Sequence, residues 1–320
     1  MQVFGSHDGE TVHETTLQDG DVSVSILSLG AIVRNWRVPD RSGRLRSVTL
    51  GFDEFAPYAV NPKAFGIIAG RIANRVREGR FPLDGQEVQL DINMPPDHIH
   101  GGTKGLGKQV WQMESDGRTA RLTLTSPDGE MGFPGAVEFT VIISLEGHTL
   151  TFDMTGVPDC KTPIALAQHS YYDLGGPVAQ HTLEVPADTI TELGPRKIPT
   201  GGILEVAGTP LDFRNPRAIG TTEIDINYCL GTKRPACVLT GADYRLTLET
   251  DRPGLQVYNG YDFQVIDAQG HDGRRYGPFP GVALEAQDYP DAVNNPSFPS
   301  VMRTPDAPYR QRTSVTIVRA

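Results

Sequence analysis

What most constrains this chain is its punctuation. Its 320 residues include 35 glycines and 25 prolines spread along the whole length, so turns interrupt most stretches before a long helix could form. Between the turns lie short segments in which apolar and polar residues alternate: 22–27, 121–125, 137–143, 149–154, 244–249 and 314–318. Period two with β-branched and aromatic enrichment is the pattern of half-buried antiparallel strands. No window of a dozen residues keeps an apolar i, i+3, i+4 stripe free of Gly or Pro. The expected fold is therefore all-β, a large antiparallel β-sandwich or barrel and not a βαβ fold. No repeat of fixed period, low-complexity tract or Pro/Ser-rich linker divides the chain, so residues 1–320 are expected to form a single domain.

A net charge of −10 and a pI near 5.3 argue against nucleic acid as a partner, because a phosphate-backbone binder shows a basic patch or stripe. Met1 to Glu10 lacks the basic and apolar regions of a secretory leader, and no apolar run is long enough to span a bilayer. Cys160, Cys229 and Cys237 are odd in number and far apart, without the close pairing of a metal knuckle. A cytoplasmic location and no membrane partner are the expectation.

Several polar groups stand where a β-protein would ordinarily place apolar ones. In 281–291 a carboxylate, Glu285, interrupts the run Gly-Val-Ala-Leu before Ala286 and Gln287. An ionised Glu in an apolar wall must be paired, neutralised or used, since desolvation disfavours its charged form. In 165–176 an apolar approach leads to Gln168, His169, Ser170, Tyr171 and Tyr172, followed by a glycine turn. Histidine suits proton transfer near neutral pH. A Ser-His-Asp hydrolase does not fit, because no Gly-x-Ser-x-Gly elbow occurs and Ser170 would face away from His169 on a strand.

Three further segments admit both a functional and an ordinary reading. Gly66 to Arg77 is either a surface stretch with solvated arginines or a close backbone approach that presents Asn74 and Arg75. His98 and His100, if extended, point the same way, as substrate contacts or metal ligands, or one of them bonds a turn carbonyl. Alternation through 222–230 puts Glu223, Asp225, Asn227 and Cys229 on one side, a face that in most strands is merely solvated.

In this order the segments resemble the aldose 1-epimerase (galactose mutarotase) family. The matching strings are Gly70-Arg-Ile-Ala-Asn74-Arg75, His100-Gly-Gly, His169-Ser-Tyr171, Asp225-x-Asn227-x-Cys229-Leu, Gly254-x-Gln256-x-Tyr258 and Leu284-Glu285-x-Gln287-x-x-Pro290-Asp-Ala-x-Asn294. The resemblance implies a galactose mutarotase-like supersandwich, no metal and no organic cofactor, and interconversion of the α and β anomers of a free aldose. It also implies Glu285 as general base and His169 as general acid, with Asn74, Arg75, His100, Asp225 and Gln256 holding sugar hydroxyls. The base is expected as a carboxylate raised toward neutrality, opposite an imidazolium, with Tyr171 or Tyr258 against the ring face. His98, Gln168 and Asp173 depart from the family's usual residues and bear on sugar preference. The expected partner is a small-molecule aldose, and the protein a monomer or homodimer. Two alternatives remain: a metal-dependent sugar isomerase or hydrolase using His98, His100 and His169 or Glu285, and a non-catalytic carbohydrate-binding protein.

Overall fold

A computed structural model describes residues 1–320, and the chain is an antiparallel β-sandwich. A nine-stranded sheet runs, in spatial order, Gln112–Ser115, Thr119–Ser126, Val137–Glu146, Thr149–Pro158, Tyr309–Arg319, Tyr244–Thr250, Cys237–Thr240, Thr182–Glu184 and Arg217–Ala218. A six-stranded sheet runs Tyr171–Tyr172, Val282–Gln287, Gly254–Tyr258, Asp225–Cys229, Thr189–Leu193 and Pro199–Glu205. A five-stranded meander occupies the stretch from Gln2 to Ser47. All six alternating segments lie in strands of these sheets. The one α-helix is the short Ala56–Val60, and no helix is long and apolar enough to cross a membrane.

The alternation does what its period predicts. In Val137–Glu146 the residues Val137, Phe139, Val141, Ile143 and Leu145 are buried, while Glu138 and Glu146 are exposed. These side chains join one apolar cluster with Val257, Leu284 and Ala286 of the six-stranded sheet and Val24, Trp36 and Val38 of the N-terminal meander. Burial of this extent is the main favourable term in holding the sheets face to face.

The six-stranded sheet is two-faced, and that property positions the site. Leu284, Ala286, Leu255, Val257, Ile226 and Tyr228 enter the large core. Their neighbours along each strand point the other way, and the register pairs Glu285 with Gln256 and Gln256 with Asn227. Directly opposed residues share a face, so a polar row crosses the sheet away from the core. The 222–230 alternation is real but is not a solvated face. The strand begins at Asp225 and leaves Glu223 exposed, and Asn227 is buried.

Two other expectations change. The Gly66 to Arg77 stretch is no surface ribbon: Arg71 is buried, donating from Nε to Ser126 Oγ at 2.9 Å and from Nη1 to the Gly135 carbonyl at 2.7 Å. A guanidinium whose donors are taken up by backbone carbonyls and the Ser126 hydroxyl is a structural tie between loops. His98 and His100 do not point the same way. The two-residue strand His98–Ile99 ends where His100 turns into the left-handed region at φ 50°. His98 consequently faces inward, its Nδ1 2.7 Å from the Asp91 carbonyl and its ring edge-on to Phe133.

Candidate active site

A cavity of about 490 Å³ opens over the polar face of the six-stranded sheet. Glu285, His169, Asn74, Arg75, His100, Asp225 and Gln256 all line it. Residues separated by more than two hundred positions thus converge on a space of the size that holds a small ligand.

Glu285 rises from the middle of the Val282–Gln287 strand and is 2 % exposed. His169 follows the two-residue strand Ala167–Gln168, and its backbone is fixed at both ends, donating to the Ile67 carbonyl at 2.9 Å and accepting from Gly66 N–H at 3.0 Å. The two side chains meet with His169 Nε2 3.5 Å from Glu285 Oε1. Glu285 Oε2 and His169 Nδ1 are buried without a protein partner. Unsatisfied polar atoms of this kind are uncommon in native proteins and call for a reason such as a ligand.

Burial moves both groups in the direction that removes charge. The Glu285 carboxyl is pushed up to about 8, chiefly by desolvation and then by the Asp225 charge, with Arg75 opposing. His169 is pulled down to about 4, again by desolvation, with Asp225 opposing. The expected imidazolium is therefore not the resting form. Between these values the pair holds one proton, which rests on Glu285 and leaves His169 neutral. The carboxylate–imidazolium arrangement is the other tautomer of that same one-proton state.

His100 is oriented from behind. Its ring Nδ1 accepts the Asn74 backbone N–H at 3.2 Å, and the His100 backbone N–H donates to the Asn74 carbonyl at 3.1 Å. An imidazole that accepts at Nδ1 and is held neutral by burial carries its proton on Nε2, which then serves as a donor. Asn74 turns its Oδ1 onto the Arg75 N–H at 2.8 Å. At Asp225, Oδ1 accepts from Gln256 Nε2 at 2.6 Å and Oδ2 from Lys197 Nζ at 2.6 Å. Each carboxylate oxygen keeps a lone pair for a hydroxyl donor.

Potential metal-ligand atoms of His100, His169 and Glu285 lie within 4.8 Å of one another. His98, one of the ligands expected for a metal enzyme, is turned away. His100 does not suit the role, because a ligating Nε2 needs a bare lone pair, with the proton on Nδ1 donated to an acceptor behind it. Here Nδ1 faces an N–H donor. The donor set fits hydroxyl recognition better than a cation.

Sequence reasoning missed several lining residues: Asn61, Lys63, Asn93, Lys108, Lys197 and Asp262. A single Lys or Asn in a loop carries no periodic or motif signal. Tyr171 and Tyr258 do line the cavity. Tyr171 is buried in an aromatic cluster, 5.2 Å from the Phe65 ring and 5.3 Å from Phe263, while Tyr258 is half-buried. Gln168 and Asp173 lie outside the wall. Gln168 donates to Ser170 Oγ at 2.5 Å, and Asp173 pairs with Arg274.

A β-sandwich whose polar sheet face carries a buried carboxyl–imidazole pair in a cavity lined by hydrogen-bonding groups is the setting of a carbohydrate-active protein. The aldose 1-epimerase family profile matches residues 13–316. The galactose mutarotase of Bos taurus is 36% identical over 95% of this chain and 93% of its own. The aldose 1-epimerase of Escherichia coli (strain K12) is 29% identical over 91% of this chain and 90% of its own. Among solved structures, galactose 1-epimerase from Lactobacillus acidophilus NCFM superposes with a TM-score of 0.87 at 26% identity, covering 99% of this chain and 98% of that one. An aldose epimerase homologue from C. elegans reaches 0.91 at 24% identity, covering 97% and 99%, a likeness of fold. The chain belongs to the aldose 1-epimerase family, and it is an isomerase of that type.

Proposed function

We propose that Glu285 and His169 are the acid–base pair of an aldose 1-epimerase reaction, with Asn74, Arg75, His100, Asp225 and Gln256 binding the sugar. The observation that carries this is the 3.5 Å approach of His169 Nε2 to Glu285 Oε1, with the remaining polar atom of each side chain unpartnered. The reaction removes the proton from the anomeric O1, forms the C1 carbonyl, and breaks C1–O5 as O5 takes a proton. Rotation about C1–C2 and the reverse steps give the other anomer. Each well-placed acid or base contributes about 10² to 10⁴ in rate.

The one-proton state supplies both groups. Transfer from Glu285 to His169 makes the carboxylate and the imidazolium without exchange with solvent. Ring opening then protonates Glu285 and neutralises His169, so the buried charges disappear as the open aldehyde forms. Desolvation, which disfavours the ion pair, thereby favours ring opening. The reverse assignment, with Glu285 as acid toward O5 and His169 as base toward O1, draws on the resting tautomer directly. A sugar complex of the Glu285→Gln variant distinguishes them, since O1 beside position 285 supports Glu285 as base and O5 there supports the reverse.

Glu285→Gln keeps the shape and removes the titrating group. Polarimetry on freshly dissolved α-D-galactose and a panel of other aldoses should show kcat lowered by at least ~10². An unchanged equilibration rate would sink the assignment. A binding-only role is disfavoured by the pairing of Glu285 with His169, which hydroxyl recognition does not need. Galactose leads among substrates because relatives carry that name. The free thiols of all three cysteines support a cytoplasmic setting, and the core shared among the sheets supports reading 1–320 as one domain.

A further inference from the structure

Lys197 enters the cavity wall although no motif announces it. Its Nζ lies 2.6 Å from Asp225 Oδ2 and 3.7 Å from Asp262 Oδ2, and 5.0 Å from the Tyr261 ring centroid. The turn that presents it is built for the purpose. Arg196 and Lys197 are consecutive non-glycine residues in the left-handed region, at φ 60° and 59°. Such backbone persists only where the surroundings hold it. The holder is Arg196, whose Nε donates to Asp97 Oδ2 at 2.7 Å and whose Nη2 donates to Oδ1 at 3.2 Å. Asp97 is 1 % exposed and also accepts the Glu78 N–H at 2.9 Å. Gly194 N–H closes the turn on the Ile198 carbonyl at 2.8 Å.

We propose that Lys197 is a positioning residue for the reaction, holding the Asp225 carboxylate in the orientation and charge balance in which it meets the sugar hydroxyls. This rests on the acid–base reading above. With Gln256 on one oxygen and Lys197 on the other, the Asp225 carboxylate is held from two sides. A carboxylate so held presents its remaining lone pairs in one direction, and orientation prepaid in the free protein is not lost again on binding. Lys197 also offsets the Asp225 charge felt by the pair. Facing Glu285 and His169 from the surrounding elements are Asp225, Arg75, His100 and Tyr171, with Asp262 and Lys63 farther out at the mouth. Removing the ammonium leaves Asp225 uncompensated, which favours the protonated form of both Glu285 and His169.

The test is Lys197→Met, a partly exposed change, assayed by polarimetry with α-D-galactose and α-D-glucose across pH. The expected result is a KM raised about tenfold or more, as for loss of a hydrogen bond to a charged group. kcat at the optimum changes less than KM. Both limbs of the kcat/KM profile move to higher pH by roughly half a unit. A loosened turn alone would lower activity without moving the limbs. Lys197→Arg should restore most of the affinity and return the limbs. In an Asp225→Asn background, Lys197→Met should add less than about a twofold effect, since the two act through one another. An unchanged KM and unmoved limbs, or equal effects of Lys197→Met in both backgrounds, would overturn the proposal. Glu285→Gln run in parallel separates the two failures: inactive Glu285→Gln beside an unaltered Lys197→Met overturns this inference alone, whereas full activity in Glu285→Gln overturns the acid–base reading and this inference with it.

Discussion

At the scale of the residue, the cost of burying Glu285 and the role proposed for it rest on the same physical fact. Desolvation holds its carboxyl at about 8 and His169 at about 4. Below the lower value both groups are protonated and no base is present. Above the upper value both are deprotonated and no acid is present. The kcat/KM profile should accordingly be a bell with limbs near about 4 and about 8, and a flat profile from pH 3 to 10 would contradict the pairing. The same shift has a stability consequence. A carboxyl whose folded pKa is raised favours the folded state fully below its unfolded value of 4.5 and loses that contribution as pH rises through about 8. Glu285→Gln abolishes this dependence, so relative to the parent it should gain stability between pH 4.5 and 8, by on the order of a few kcal/mol. Paired urea melts at pH 5 and pH 8 check the sign: a gap that narrows with rising pH would refute it.

At the scale of the element, the site depends on turns more than on strands. A Cβ on Gly101 would sit 1.7 Å from the Gly70 carbonyl oxygen, and its φ is 89°. The His100-Gly-Gly string therefore records a backbone contact that brings His100 and Asn74 together. Gly101→Ala should displace His100 and lower kcat/KM by about 10²-fold, as misplacements of about 1 Å do. Gly9→Ala is the control. Its φ is 85° but no atom lies within 4 Å of the added Cβ, so it should cost only ~1 kcal/mol of stability and leave anomer exchange intact. The long strands were legible because alternation sustained over five to seven residues is hard to mistake. The site's smallest elements were not. Ile68–Ala69, His98–Ile99, Ala167–Gln168 and Tyr171–Tyr172 are two residues each, too short for any period to show. The left-handed turn at His100 is why the extended reading of His98 and His100 failed. Glu285 and His169 could be picked out because their residue types contradict their apolar surroundings, whereas Lys197 sits in an ordinary-looking turn.

At the scale of the molecule, a sheet that gives one face to polar groups must be held by the other. Leu284 and Ala286 flank Glu285 in sequence yet belong to the cluster that also contains Phe152 and Val315 of the nine-stranded sheet. The polar row can be tolerated because the strands beneath it are anchored in that core, whose burial offsets the desolvation above it. If the sheets share one cooperative unit, damage to either should appear in the same transition. Phe152→Ala removes a fully buried ring outside the cavity wall and should cost ~3–5 kcal/mol, and Leu284→Ala ~2–5 kcal/mol. In both variants the urea transition followed by the fluorescence of buried Trp36 and Trp111 should coincide with the loss of anomer exchange and remain a single step. Phe152→Ala should retain kcat under conditions where it is folded, because its side chain supports the sheet without touching the cavity. Two separated transitions, or loss of exchange well before the tryptophan signal changes, would mean that the six-stranded sheet unfolds on its own. The polar face would then be held by local contacts such as the Arg71 and Arg196 clamps, and not by the sandwich as a whole.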